Sequence, residues 1–313
     1  DEDEQGQIDL SRVTKLQGAL DNANAPVQAA EEINISQNPQ NTLTEEAGGC
    51  PGHIFTGTTA MQARIYVESG VHDVTFANLN ITAAARVGVA PGATMNLTIR
   101  ERNTISAGGN YAGIYVPKDA TLVITNGSTG TLEVSSPADA GIGGAWTAPD
   151  NTNGDVDCGT VVINGGTITA AGGGLNSASA GIGGSGGDDT PGNGGTVIIN
   201  GGTVTATGQL SGAGIGGGSD GNGGEITITG GTVKAQGNSG ADIGGGYDSN
   251  TDGIVLSNKI EISGGTVTRP DGSELNIGSA THQAKEEWVI TDTEHWHPCE
   301  AADCNEHQFN KSA

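Results

Sequence analysis

From about His53 onward the chain is written in short apolar runs set between turn residues. Ile65-Tyr66-Val67, Val71 to Phe76, Leu79-Asn80-Ile81 and Met95 to Ile99 are rich in β-branched and large apolar residues and are separated by Gly, Asn, Asp or Pro. That pattern predicts short strands joined by tight turns. Upstream the period differs. Leu10, Val13, Leu16 and Leu20 fall at helical spacing behind Asp9 and Ser11, either of which can cap a helix. The spacing predicts an amphipathic helix from Ser11 to about Asn22, sealing one end of whatever stack follows, because an open strand edge exposes unpaired backbone groups. Ala30 to Ser36 reads as a first strand, and the DEDE start as a solvated tail.

Two phrases then recur. One is Gly141-Ile142-Gly143-Gly144, with copies at Gly181, Gly214 and, with a changed first residue, Asp242. The other is Ile163-Asn164-Gly165-Gly166-Thr167, with counterparts at Ile199, Ile228 and Ile262. Weaker copies of the first phrase stand at Gly88-Val89 and Gly113-Ile114. Starts at 88, 113, 141, 181, 214 and 242 give spacings of 25, 28, 40, 33 and 28. Self-similarity at tens of residues marks a stacked-repeat architecture, and unequal spacing fits insertions placed in loops. Each period holds about three strand-sized pieces, with Gly-Gly at corners that demand positive φ. This predicts an all-β parallel β-helix, in which Ile163, Ile199, Ile228 and Ile262 form one internal ladder. Val204, Val233 and Val267 form a second, and Ile142, Ile182, Ile215 and Ile243 a third. The repeat fades after Thr268, so the chain divides into a tail and helical cap (1–49), the coils (50–268) and a C-terminal cap and tail (269–313).

Composition sharpens this picture. Of 313 residues, 55 are Gly and 3% are aromatic, too few rings for a large aromatic core and without the every-third-residue Gly of collagen. A net charge of −24, from 36 acidic against 12 basic residues, argues against nucleic acid and anionic membranes as partners. No apolar run approaches the roughly 20 residues that span a bilayer. An acidic chain that opens at Asp1 rather than Met fits a secreted or cell-surface protein whose signal peptide has been removed.

The GIGG phrase and its I-N-G-G-T-[IV]-T-A partner, at Ile163 to Ala170 and Ile199 to Ala206, resemble the Gly-rich right-handed β-helix domains of Firmicutes-type bacterial surface proteins. Phe55-Thr56-Gly57-Thr58-Thr59 and the Ile65-Tyr66-Val67 strand also resemble the start of such domains. The resemblance covers roughly residues 50–268. It implies a right-handed coil and an adhesive or carbohydrate-binding module of a longer surface protein, with a glycan or host surface ligand as partner. His295-Trp296-His297-Pro298-Cys299, with Cys304 and His307, is similar to tail segments of the same proteins, though it lacks the Gly often found after the second Cys.

Candidate chemistry falls in three places. Trp146 and Tyr247 occupy the same position, four residues beyond the repeat Ile, where other copies have Gly186 and Ser219. On consecutive rungs they would lie on one face about 14 Å apart, flanked by Asp150, Asp155, Asp188, Asp189, Asp220, Asp248 and Asp252. Aromatic faces beside acids and amides grip sugar rings, although Asp and Gly are also the ordinary residues of turns. Such loops could also offer oxygen ligands to calcium, but the nonapeptide calcium repeat is not matched. In the tail, His295, His297, Cys299, Cys304 and His307 could complete a tetrahedral zinc shell; the Cys299–Cys304 spacing serves a disulfide equally well. Cys50 and Cys158 read as small buried apolar residues.

The outward Thr-x-Thr ladder (Thr167 and Thr169, Thr203 and Thr205, Thr266 and Thr268), broken at Lys234, fits exposed strand chemistry better than ice binding. An enzyme on this fold would need paired carboxylates. Glu133, Glu225 and Glu261 are the strand candidates, and the latter two stand out of register. A cleft for acidic polysaccharide would need clustered basic residues, of which Lys234, Lys259 and Arg269 are scattered examples. The expected protein is therefore non-catalytic, with a glycan-cleaving lyase or hydrolase as one alternative and a structural stalk as the other.

Overall fold

The computed structural model describes residues 29–45, 52–175, 178–186, 190–248, 253–255, 259–273, 275–278, 289–290 and 295–296. The expected helix from Ser11 to Asn22 lies outside them, and the described residues contain no α-helix. The repeating part is a right-handed parallel β-helix with three strands per coil, consistent with the alternation and the Gly corners.

The coil runs through three faces in the order B, C, A. Face B stacks Thr94–Arg100, Thr121–Ile124, Thr160–Ile163, Thr196–Ile199, Glu225–Ile228 and Lys259–Ile262, each parallel to the next. Face C stacks Arg102–Ala107, Thr131–Ser135, Thr167–Ala171, Thr203–Thr207, Thr232–Gln236 and Thr266–Thr268. Face A is narrower, with two-residue strands Ile114–Tyr115, Ile142–Gly143, Ile182–Gly183, Ile215–Gly216 and Ile243–Gly244. Nearer the N-terminus the corners close up, and a single strand, Val71–Val89, runs through all three faces. The stack begins before residue 50, because Glu31–Asn34 pairs with His53 to Thr56 and Gln40–Leu43 pairs with 64–67.

All three expected ladders are present. Ile163 aligns with Ile199, Ile199 with Ile228 and Ile228 with Ile262. The Val204 and Ile142 ladders are equally in register. Alternate residues point inward, so Val197, Ile199, Val204 and Ala206 are fully buried between Thr and Ile neighbours that face out. At about 25 cal/mol per Å² of buried apolar area, this narrow aliphatic core is what holds successive rungs in alignment.

One register differs from expectation. Gly88 aligns with Tyr115, and Tyr115 with Gly143. Gly88 is therefore the counterpart of the second Gly of the phrase, and the rung begins at Arg86, two residues before the start read from the sequence. Val87, not Val89, is the ladder residue; the flanking valines made the shifted reading look equivalent.

Glycine is required in one column of face A. Gly143, Gly183, Gly216 and Gly244 have φ of 134° to 141°, and a Cβ on Gly216 would lie 1.8 Å from the carbonyl oxygen of Gly244. The B–C corner has a second such position: Gly166, Gly202, Gly231 and Gly265 have φ of 80° to 84°. Length variation is thereby confined. From Ile163 onward the B–C corner is always three residues, while the segments on either side of face A absorb the insertions.

Candidate functional site

The longest period follows Gly144, and its extra residues fold back over the N-terminal coils. The turn is local: Thr147 bridges Asn153, and Asp150 Oδ1 accepts from the amide and hydroxyl of Thr152 at 3.0 and 2.7 Å. Longer-range bonds then fix the loop. Thr147 N donates to Asn110 O at 3.0 Å, Tyr111 Oη donates to Asn151 Oδ1 at 2.7 Å, and Asp155 N donates to Tyr115 Oη at 2.9 Å. Under it lie Tyr66 and Tyr115, 4% and 3% exposed despite standing in the same column as Gly88 and Gly143. The loop is the cover that hides them.

The loop leaves Trp146 39% exposed and, through Asn151, bonds Tyr111. The Arg86 guanidinium lies over the Tyr111 ring at 4.6 Å, a cation–π contact that fixes the ring plane. With its amide oxygen facing Arg86, Gln62 accepts from Nε at 2.8 Å. Burial raises the Tyr66 phenol well above its ordinary range, reinforced by Asp150, Tyr115 and Glu68. It pushes Tyr115 up to about 12, with Asp155 and Asp150 adding to the effect against the Asp155 amide hydrogen bond. Both phenols therefore stay protonated and keep a hydrogen to donate.

A buried polar cluster anchors the root of this loop. Asp139 is fully buried; its Oδ1 accepts from Ser185 Oγ at 2.6 Å and from Trp146 N at 3.3 Å, and its Oδ2 has no partner. Ser185 Oγ lies 3.1 Å from Ser179 Oγ, which donates to Ala138 O. Desolvation, only partly offset by the Ser185 and Trp146 hydrogen bonds, raises Asp139 to about 6. Ser136 ties this cluster to the aromatic patch by donating to Tyr111 O at 2.8 Å.

The residues singled out in the sequence divide between two neighbourhoods. Trp146, Asp150 and Asp155 belong to the loop just described. Tyr247 lies further along the stack: its N donates to Ser211 O, and its O accepts from Asp220 N. Tyr247 and Asp248 pair with Ile254 and Gly253. Asp220 has φ of 56°, and its buried Oδ1 lacks a hydrogen-bond partner. Between the aromatics, Gly186 and Ser219 are rung neighbours, since a Cβ on Gly186 would lie 2.6 Å from Ser219 O.

Asp188, Asp189 and Asp252 lie outside the described residues, as do His297, Cys299, Cys304, His307 and Cys50. His295 is described only as backbone, in a short antiparallel pair with Ile290. Among the described residues no group of three His, Cys, Asp or Glu side chains is arranged to hold a metal. Cys158 is buried and free, and burial beside Asp157 and Asp155 pushes its thiol up to about 12. The strand glutamates stand on two faces: Glu133 on face C, bonded to Arg102 at 2.8 Å, and Glu225 and Glu261 on face B beside Lys259.

Arg64, Arg86, Tyr111 and Asn151 are members of the patch that the sequence pattern did not single out. The signal was there: Ala63-Arg64-Ile65-Tyr66-Val67 and Ala85-Arg86-Val87-Gly88-Val89 are the same phrase one coil apart.

Residues 161–187, 197–219 and 226–247 match the family model of the beta helix repeat, each stretch running through faces B, C and A of one coil. No curated protein and no solved structure matches the chain.

Proposed function

We propose that this β-helix is an adhesive, carbohydrate-binding module of a secreted or cell-surface protein, and that it acts without covalent chemistry. The observation that carries the reading is the loop that bonds Asn151 to Tyr111, whose ring stacks on Arg86, and that leaves Trp146 exposed on the same excursion. Ring faces with amide and guanidinium groups at their edges suit a sugar, whose C–H face is apolar and whose rim is hydroxylated. Tyr247 with Asp220 and Asp248 would extend the contact along the stack. Such weak contacts, repeated on one rigid scaffold, add through effective concentration.

A glycan array tests the proposal. Binding should fall on Trp146→Ala and on Tyr111→Ala with the fold intact by circular dichroism; silence across the array would sink it. Incubation with plant and host polysaccharides, followed by a search for new reducing ends or unsaturated products, separates the glycan-cleaving alternative. A structural stalk would give neither signal.

A further inference from the structure

Arg64 and Arg86 are direct partners on adjacent rungs of face A. Like charges placed opposite one another across strands oppose pairing, and this chain has only 12 basic residues with which to arrange them. Acids are plentiful, yet among the described residues neither arginine forms an ion pair. Every contact found for them is neutral. Arg64 Nη2 donates to Thr42 Oγ1 at 2.7 Å, Arg86 takes the Gln62 amide oxygen and the Tyr111 ring, and Arg64 Nε is buried with no acceptor. Of the two acids that act on neighbouring Tyr66, Asp150 and Glu68, neither pairs with these arginines, and Asp150 Oδ1 is committed to Thr152 of its own turn.

We infer that the Arg64–Arg86 pair is a carboxylate subsite, so that the glycan held by this surface is an acidic one built from uronate sugars. The inference rests on the glycan-binding reading and narrows it. A guanidinium presents a planar fork that matches a carboxylate with two parallel hydrogen bonds. Two forks one rung apart, about 4.8 Å, beside the Tyr111 ring, supply both the anion contact and a platform for the sugar carrying it. A bound carboxylate would also relieve the repulsion between the arginines. The overall negative charge does not forbid this, because at physiological salt charges beyond about 8 Å are largely screened.

The test is calorimetric titration of the full chain with a short oligogalacturonate and with its fully methyl-esterified counterpart, which keeps the rings and removes the charge. The acid should bind about tenfold tighter or better, the scale of one hydrogen bond to a charged group. Arg64→Gln and Arg86→Gln should each erase most of that preference, and Arg64→Lys should recover it only in part. Lys234→Gln, on face C, should change nothing. Thermal melts of each variant exclude a folding defect. Equal affinity for acid and ester, with both lost in Trp146→Ala, would overturn the carboxylate subsite and leave glycan binding standing. An acid preference that survives both Arg→Gln changes would likewise overturn the subsite. No binding of either probe, together with silence on neutral glycans, would overturn both.

Discussion

The coils up to Tyr115 and those from Ile142 to Thr268 share one register but are built differently. The N-terminal coils fill their interior with large rings. Phe55 meets Phe76 edge-to-face at 6.4 Å, and His53 and His72 lie buried 5.7 Å apart. Their corners use Asn78, Ala84 and Glu101 at positive φ, and their face A carries Arg64, Arg86, Tyr66 and Tyr115. The later coils bury mostly Ile, Val and Ala, with no large ring, and place Gly at the repeated bends of face A and of the B–C corner. Both halves bury an aliphatic core; the first adds large packed rings, the second close approach of backbone to backbone. Functional groups can decorate face A only where that approach is not required, which is why the candidate site sits on the early coils and borrows a loop from the first glycine coil.

The sharpest way to break the contrast is Gly216→Ala. With φ of 134° and Gly244 O in the way, the substitution should cost more than about 5 kcal/mol. Hydrogen exchange should show protection lost from 182 to 268 and retained around 63–107; uniform protection would refute the division. Phe76→Ala should cost about 3–5 kcal/mol, with the opposite regional pattern.

The junction between the halves is pH-sensitive. Asp139, raised to about 6 from 3.8, binds a proton more readily folded than unfolded. Its contribution to stability is therefore full below about pH 4 and declines as pH rises to about 6, by roughly 3 kcal/mol in all. Comparing Asp139→Asn with the parent chain across that window isolates this group, and the variant should gain relative stability by that amount. A pH-independent difference would refute it. The smallest effect, about 1 kcal/mol, is expected for Asn200→Ala, which removes the Asn164–Asn200–Thr229 side-chain ladder from an exposed corner where water can substitute; chemical denaturation would measure it.

The glycine half was legible in the sequence because its phrases are nearly identical, so Ile163, Ile199, Ile228 and Ile262 could be aligned by eye. The early half was harder. Its rungs share a pattern rather than words, and Val87-Gly88-Val89 accepts two alignments. The site was half legible. Trp146 and Asp150 stood out as departures from the repeat. Their neighbours did not, because the contact between Tyr111 and Asn151 depends on the path of a loop across coils. Asp139 reads as a turn residue, and only the closing of Ser185 and Trp146 around it makes it a buried acid.

Because the B–C corner keeps one length from Ile163 onward, the ladders of faces B and C there are indifferent to what the segments beside the short strands contain. A lineage could exchange or enlarge the 145–157 excursion and acquire a different exposed surface without disturbing the aligned pairs of those two faces. For an engineer, the same separation makes that excursion a grafting point on an otherwise unaltered scaffold.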